Sequence, residues 1–234
     1  MNKLSLMYAL AGLAACGTTN SDSLLTSGMS ADMTVTGNAD GTATVTVNLF
    51  SGDPDQLIFV NLDDGDTLVG SNASQSLPLV EQQLVTIIDY SAQFITGTEG
   101  AQYTIDLERT VDAGAPSSTA TLPAPFALGE VATSASRASD LAITWSPAGA
   151  ADPMTWQIEG TCIEGASGTI DGDPGAQTIA GNTLVKASGN GVPDSCTATL
   201  TVARTRVGQL DPHFGHGGSI VGEQARTATF TTTP

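Results

Sequence analysis

Strict alternation of apolar and hydroxyl side chains is the feature that most limits what this chain can become. Across residues 42–50, Ala43, Val45, Val47 and Leu49 fall on one side, and Thr42, Thr44, Thr46 and Asn48 fall on the other. A period of two is that of a half-buried strand. The preceding Asn38-Ala39-Asp40-Gly41 supplies turn residues and makes 33–36 its hairpin partner. Residues 102–109 alternate again through Tyr103, Ile105 and Leu107, whereas 56–61 form a near-continuous apolar run suited to a strand covered on both faces. Residues 79–88 could be taken for a helix, but Val80, Val85, Thr86, Ile87 and Ile88 are β-branched and favour strands. No stretch carries a long amphipathic helix, and only 13% of residues are charged, so the polarity is largely hydroxyl. The fold class expected is all-β.

Pro123-Ala124-Pro125 stiffens the backbone and marks a junction between two groups of strands. We therefore expect one β-sandwich over residues 32–122, a linker at 123–125 and a second sandwich over 126–234. Strands of the second half are expected at 126–133, 141–147, 154–162, 177–179, 184–187, 196–206 and 225–232, with a long Gly-rich loop at 207–224. Leu141-x-Ile143-x-Trp145-Ser146-Pro147 resembles the B strand of fibronectin type III and related immunoglobulin-like sandwiches, and 198–206 and 225–232 are similar to their last two strands. The resemblance implies two tandem immunoglobulin-like sandwiches, with Trp145 entering a core. Trp156 reads as a core residue as well.

The amino terminus carries Lys3, an apolar run over 4–10 and small residues before Cys16, the order of a secretory signal peptide. That apolar run is too short to cross a bilayer. Leu13-Ala14-Ala15-Cys16 resembles a bacterial lipobox. It implies a signal peptide at 1–15, acylation of Cys16, and a location in the cell envelope; Gly17 after the cysteine is similar to lipoproteins sent to the outer membrane, on its periplasmic or surface face. Residues 16–31, small and polar without a sustained period, are expected to be a flexible tether.

Asp and Glu outnumber Lys and Arg 24 to 7, for a net charge of −17, and repulsion argues against nucleic acid as a partner. With Cys16 assigned to lipid, Cys162 and Cys196 remain as one pair, a disulfide in an oxidising compartment or two free buried thiols. No CxxC is present to make a zinc site. Asp63, Asp64 and Asp66, and likewise Asp171 and Asp173, lie in acidic turns that could offer oxygen ligands to calcium, but without the spacing of an EF-hand they read first as turns. His213 and His216, near Asp211, are the only imidazoles and read as loop residues before they read as metal ligands. No cofactor is expected, calcium being the one candidate. A Gly-x-Ser-x-Gly elbow is absent, and an aromatic content of 5% argues against a sugar-stacking groove. The reading these residues support is a noncatalytic, membrane-anchored lipoprotein that binds or adheres through its sandwich loops to a protein or glycan. A small hydrolase and a structural envelope spacer are the alternatives.

Overall fold

The computed structural model describes residues 17–63 and 65–234; the expected signal peptide, Cys16 and Asp64 lie outside them. Every regular element longer than a single 3-10 turn is a strand, so the chain is all-β. In chain order the first ten are β1 (Gly17–Asn20), β2 (Met29–Gly37), β3 (Ala43–Ser51), β4 (Ile58–Asn61), β5 (Thr67–Ser71), β6 (Ser76–Pro78), β7 (Val80–Leu84), β8 (Ile87–Phe94), β9 (Gln102–Glu108) and β10 (Ala115–Thr121). The remaining eight are β11 (Ala127–Leu128), β12 (Ser134–Ser136), β13 (Leu141–Ser146), β14 (Met154–Gly160), β15 (Ala166–Ile170), β16 (Ala176–Ile179), β17 (Cys196–Val207) and β18 (Gly218–Thr233).

The alternation in β3 does what its period requires. Ala43, Val45, Val47 and Leu49 are fully buried, and β2 pairs with β3 so that Val35 faces Val45 and Met33 faces Val47. Opposite them stands the sheet β10-β9-β5-β6, whose Tyr103, Ile105 and Leu107 close the first core. Residues 79–88 are extended, as their β-branched content predicts, and fold into the β7–β8 hairpin with Val85 and Thr86 as the two-residue turn.

The second core lies between β11-β13-β16 and β12-β18-β17-β14-β15. This order corresponds to strands A-B-E facing A′-G-F-C-C′ of an immunoglobulin-like sandwich. The strand that carries Trp145 is the B strand, and both Trp145 and Trp156 are buried in this core. Trp156 lies flat over its cross-strand neighbour Gly168, where a Cβ would meet the indole at 2.8–2.9 Å. Glycine there leaves room for the ring. Of the other expected strands, 184–187 contributes only one isolated bridge, Ile163 to Lys186, and 126–133 only the two residues of β11.

Cys162 and Cys196 form a disulfide with a Cα separation of 5.7 Å. It ties the turn after β14 to the start of β17 and so closes a segment that carries β15 and β16 and packs Ile163, Ile170, Ile179 and Leu184 into the second core.

Two expectations are corrected. Residues 17–31 are no tether: Gly17–Asn20 pairs in parallel with Ile58–Asn61, and Ser21, Thr26 and Met29 to Ala31 are buried. The sequence misleads because residues 17–28 are held largely through polar groups, while Met29 and Ala31 already belong to β2 and the first core. Arg109 Nη2 donates to the Ser21 and Leu24 carbonyls at 2.8 and 3.0 Å, and its Nη1 to Thr26 Oγ1 at 3.1 Å.

The second correction concerns the boundary at 123–125. The segment 207–224 is not simply a loop of the second sandwich. β18 begins at Gly218, and its first part pairs in parallel with β2 while its last part pairs in parallel with β12. β17 runs antiparallel to it from Cys196 opposite Thr232 to Val207 opposite Val221. At about 3.3 Å per residue β18 is roughly 50 Å long, enough to pass through both sandwiches. Phe214 and Ile220 accordingly belong to the first core, and Leu200, Val202 and Phe230 to the second. One hairpin is the spine of both.

The linker is strapped to that spine. Arg204 Nη1 donates to the Ala124 carbonyl at 2.5 Å, Arg206 Nη1 to the Leu122 carbonyl at 3.3 Å, and Arg226 Nε to the Phe126 carbonyl at 2.8 Å. The guanidinium groups of Arg204 and Arg226 also pack on the Phe126 ring, 5.1 and 5.4 Å from its centroid. Three of the seven basic side chains of a strongly acidic protein thus converge on one short connection.

Candidate functional site

The acidic turns are occupied by the protein's own donors. Asp66 takes Arg109 Nε at 2.6 Å and Ser21 Oγ at 2.8 Å on one oxygen, and the Thr110 amide at 2.8 Å on the other. Burial pushes the carboxyl up, but these hydrogen bonds and the guanidinium outweigh it and hold Asp66 below the usual range. Asp173 is built the same way: burial raises it, and Trp145 Nε1 at 2.5 Å, the Ala150 amide at 2.8 Å and Arg204 Nη2 at 2.7 Å bring it below the ordinary value. An oxygen so engaged has little capacity left for calcium. Asp63 accepts from Asn20 Nδ2 at 2.9 Å. Asp171, by contrast, lies exposed.

The two histidines do not converge. His213 Nδ1 contacts Asp211 Oδ1 at 2.7 Å, whereas His216 Nδ1 contacts Asp53 Oδ1 at 3.0 Å. Among the described residues no group of three or more His, Cys, Asp and Glu side chains is placed to hold a metal.

Sequence reasoning missed one cluster that tertiary structure assembles. Ser117 Oγ donates to Asp211 Oδ2 at 2.6 Å, and His213 contacts the other oxygen of the same carboxylate. Serine, aspartate and histidine are all present, but the carboxylate lies between the other two. Acyl transfer requires the histidine between the hydroxyl and the acid, so that the imidazole takes the hydroxyl proton. This order instead makes Asp211 a brace that ties the β17–β18 connection to β10. Burial raises its carboxyl, but donation from Ser117 and His213 prevails and holds it at about 2.

The sign of the pH effect follows. A carboxyl depressed in the folded state stabilises fully above its unfolded value, near 3.8, and loses that contribution as pH falls towards 2. The contribution is about 2 kcal/mol at neutral pH. Asp211→Asn should therefore flatten the fall of stability between about pH 4 and pH 2 in acid-unfolding measurements. Identical slopes for the two proteins would contradict the assignment.

A recess of about 620 Å³ lies at the end of the first sandwich between the β5–β6 turn and the β8–β9 connection. Ser71, Asn72, Ser74, Thr96, Thr98, Gln102 and Thr104 bring hydroxyl and amide groups to walls that also include Ala73, Gly100 and Ala101, and Glu99 is its one charged residue. Its shape is fixed from behind. Asn72 Oδ1 accepts from the Ser74 amide, the Ser74 hydroxyl and the Gln75 amide at 2.9, 3.0 and 2.9 Å, which locks the turn. Tyr103, packed edge-on against Phe94, donates its hydroxyl to the Thr96 carbonyl and anchors the other wall. Burial raises the Tyr103 phenol, with the Asn72 side chain opposing it, so the hydroxyl stays protonated as a donor. Glu99 is shared with a second recess of about 370 Å³ at the junction, lined by Asp152, Arg204 and Arg206. Nothing in the sequence marks the first recess, because Ser, Thr, Asn and Gln at turns are also what turn geometry alone selects.

No protein-family profile matches the chain, and no curated protein does. Among solved structures it is similar to a cytokine receptor complex, at 12% identity and a TM-score of 0.29, over 86% of this chain and 96% of that one. It is also similar to the Yersinia pseudotuberculosis adhesin InvE, at 14% identity and a TM-score of 0.24, over 88% of this chain and 59% of that one. A two-domain fibronectin type III segment from chicken tenascin matches at 12% identity and a TM-score of 0.24, over 85% of this chain and 97% of that one. Scores this low carry no weight for fold or function, and the architecture rests on the strand order described above.

Proposed function

We propose that this protein is a noncatalytic, lipid-anchored component of a bacterial cell envelope that works by binding, and that the recess at the end of the first sandwich receives its ligand. The observation that carries this reading is the chemistry of the recess walls. Hydroxyl and amide groups on a braced turn can recognise an uncharged polar ligand, such as a neutral glycan or an extended polar peptide, by hydrogen bonding. Catalysis would need a positioned nucleophile with its base, and the Ser117, Asp211 and His213 cluster has the wrong order for that role. Anchoring is supported by Leu13-Ala14-Ala15-Cys16 after an apolar run. Because Gly17 is already in β1, an acylated Cys16 would hold the sandwich against the bilayer without a spacer.

Two measurements test the reading. Arrays of neutral oligosaccharides and of polar peptides should retain the native protein, and filling the recess with Thr98→Arg or Gln102→Arg, both at exposed positions, should weaken that retention at least tenfold. Equal retention of native and filled proteins would overturn the site, and release of a cleaved product would favour a hydrolase. Mass spectrometry of the mature amino terminus should find acylated Cys16, and Cys16→Ala should move the protein out of the membrane fraction. A mature protein that begins elsewhere and carries no lipid would refute the anchor.

A further inference from the structure

All five residues of β7, Val80-Glu81-Gln82-Gln83-Leu84, are exposed, and among the described residues the strand pairs only with β8. Its second edge is therefore a row of backbone donors and acceptors without strand partners. Exposed edges are usually blunted by lysine, proline, a bulge or a covering segment. β7 has none of these along its length: its register with β8 is regular from Val80 opposite Ser91 to Leu84 opposite Ile87, and its only charge is Glu81. Three of the other edges differ. β10 is bridged by Gln209 at Thr119, β6 is three residues long and ends in Pro78, and β15 has Gly168 at its centre.

The outward face of the hairpin carries three exposed apolar side chains beside Gln82, Asp89 and Ser91. Val80, Leu84 and Ile87 share it at 59%, 73% and 47% exposure. Val85 at the tip is 85% exposed with a φ of 60°, a left-handed conformation that a β-branched residue adopts only at a cost and where glycine or asparagine usually stands.

The sequence of β7 is complementary to itself. When two copies are laid antiparallel about a two-fold axis at Gln82, Val80 faces Leu84 of the second copy, Glu81 faces Gln83, and Gln82 faces its equivalent. Apolar residues meet apolar ones, and each carboxylate meets an amide rather than a like charge. We infer that β7 is a homophilic edge through which two copies of this protein join into one continuous sheet. The net charge of −17 on each copy opposes the encounter, so the dimer strengthens with ionic strength.

Sedimentation velocity of the protein from Gly17 onward, over a concentration series at low and high salt, tests this. The expected result is a monomer–dimer equilibrium that shifts to dimer as salt rises. The register makes a sharper demand through residue 83. Gln83→Glu places like charges opposite each other twice per dimer and should weaken association about three- to tenfold, whereas Gln83→Lys creates two ion pairs and should strengthen it by a similar factor. Residue 83 is exposed, and circular dichroism would confirm that both variants keep the fold. A monomer at every concentration and salt would overturn the inference, as would a dimer indifferent to both substitutions. A hairpin tip that binds neutral phospholipid vesicles while the protein stays monomeric would overturn it too, by making the apolar surface a membrane contact.

Discussion

Replacing Arg204 with alanine is expected to lower stability by about 3–5 kcal/mol and to do so for the whole molecule at once. Arg204 is the bulkiest of the fully buried side chains, and its four partners come from three places in the chain. It pairs with Asp173 at 2.7 Å, donates to the carbonyls of Ala124 and Pro147, and packs on Phe126. Its removal leaves the Asp173 carboxylate buried with hydrogen bonds from Trp145 and Ala150 but without the cation that balances it. It also opens space in the junction between the two cores. For a chain of this size the loss corresponds to roughly 6–20 °C in thermal midpoint. Adding Asp173→Ala should recover part of the loss, because the unbalanced charge goes with it. A midpoint within a degree or two of the native one would show that the pair contributes little.

Arg109→Ala is expected to cost a similar about 3–5 kcal/mol, with a different local signature. The Arg109–Asp66 pair has both side chains buried, and the same guanidinium holds the Ser21 and Leu24 carbonyls and the Thr26 hydroxyl. Without it, Met29 to Ala31 stay paired within β2, but residues 17–28 lose their main attachment. Hydrogen exchange should then accelerate most in that segment and in β4, against which β1 pairs. Arg109→Lys should rescue only part of the loss, because an ammonium reaches one partner where the planar guanidinium reaches several. Exchange in residues 17–31 that is already fast in the native protein, and unchanged in the variant, would restore the tether.

These two arginines mark where the sequence stopped being legible. Alternation revealed β3 and β9 residue by residue, and the pattern around Trp145 revealed the B strand of the second sandwich, because burial of one strand face imposes a period that composition can display. Residues 17–31 lack such a period, since Ser21 and Thr26 are buried through hydrogen bonds to Asp66 and Ala113 and not through apolar surface. Polar burial of this kind needs a distant partner that no local window contains. The start of β18 was hidden for another reason: Gly218 and Gly222 interrupt its pattern. Both are glycine because the strand passes directly against neighbouring backbone, at Ala31 and at Thr121, where a Cβ would collide with a carbonyl oxygen. Close packing therefore looked like a Gly-rich loop.

The candidate site was less legible still. Asp66 and Asp173 stood out as acidic, but their role depends on Arg109 and Arg204, 43 and 31 residues further along. The recess around Asn72 and Thr98 is drawn from two separate connections, each of which reads as an ordinary turn alone. Only the meeting of the β5–β6 turn with the β8–β9 connection makes a concave surface of them.

The shared β17–β18 spine is tested most directly by differential scanning calorimetry of the disulfide-intact chain from Gly17 onward. Because β18 completes the sheets of both sandwiches, and Phe214 and Ile220 fill the first core from the far end of the chain, neither half can melt and leave the other intact. The expected result is one transition whose van't Hoff enthalpy equals its calorimetric enthalpy. Two resolved transitions, one of them shifted by reduction of Cys162–Cys196 and the other untouched, would show instead that the sandwiches are independent domains joined end to end.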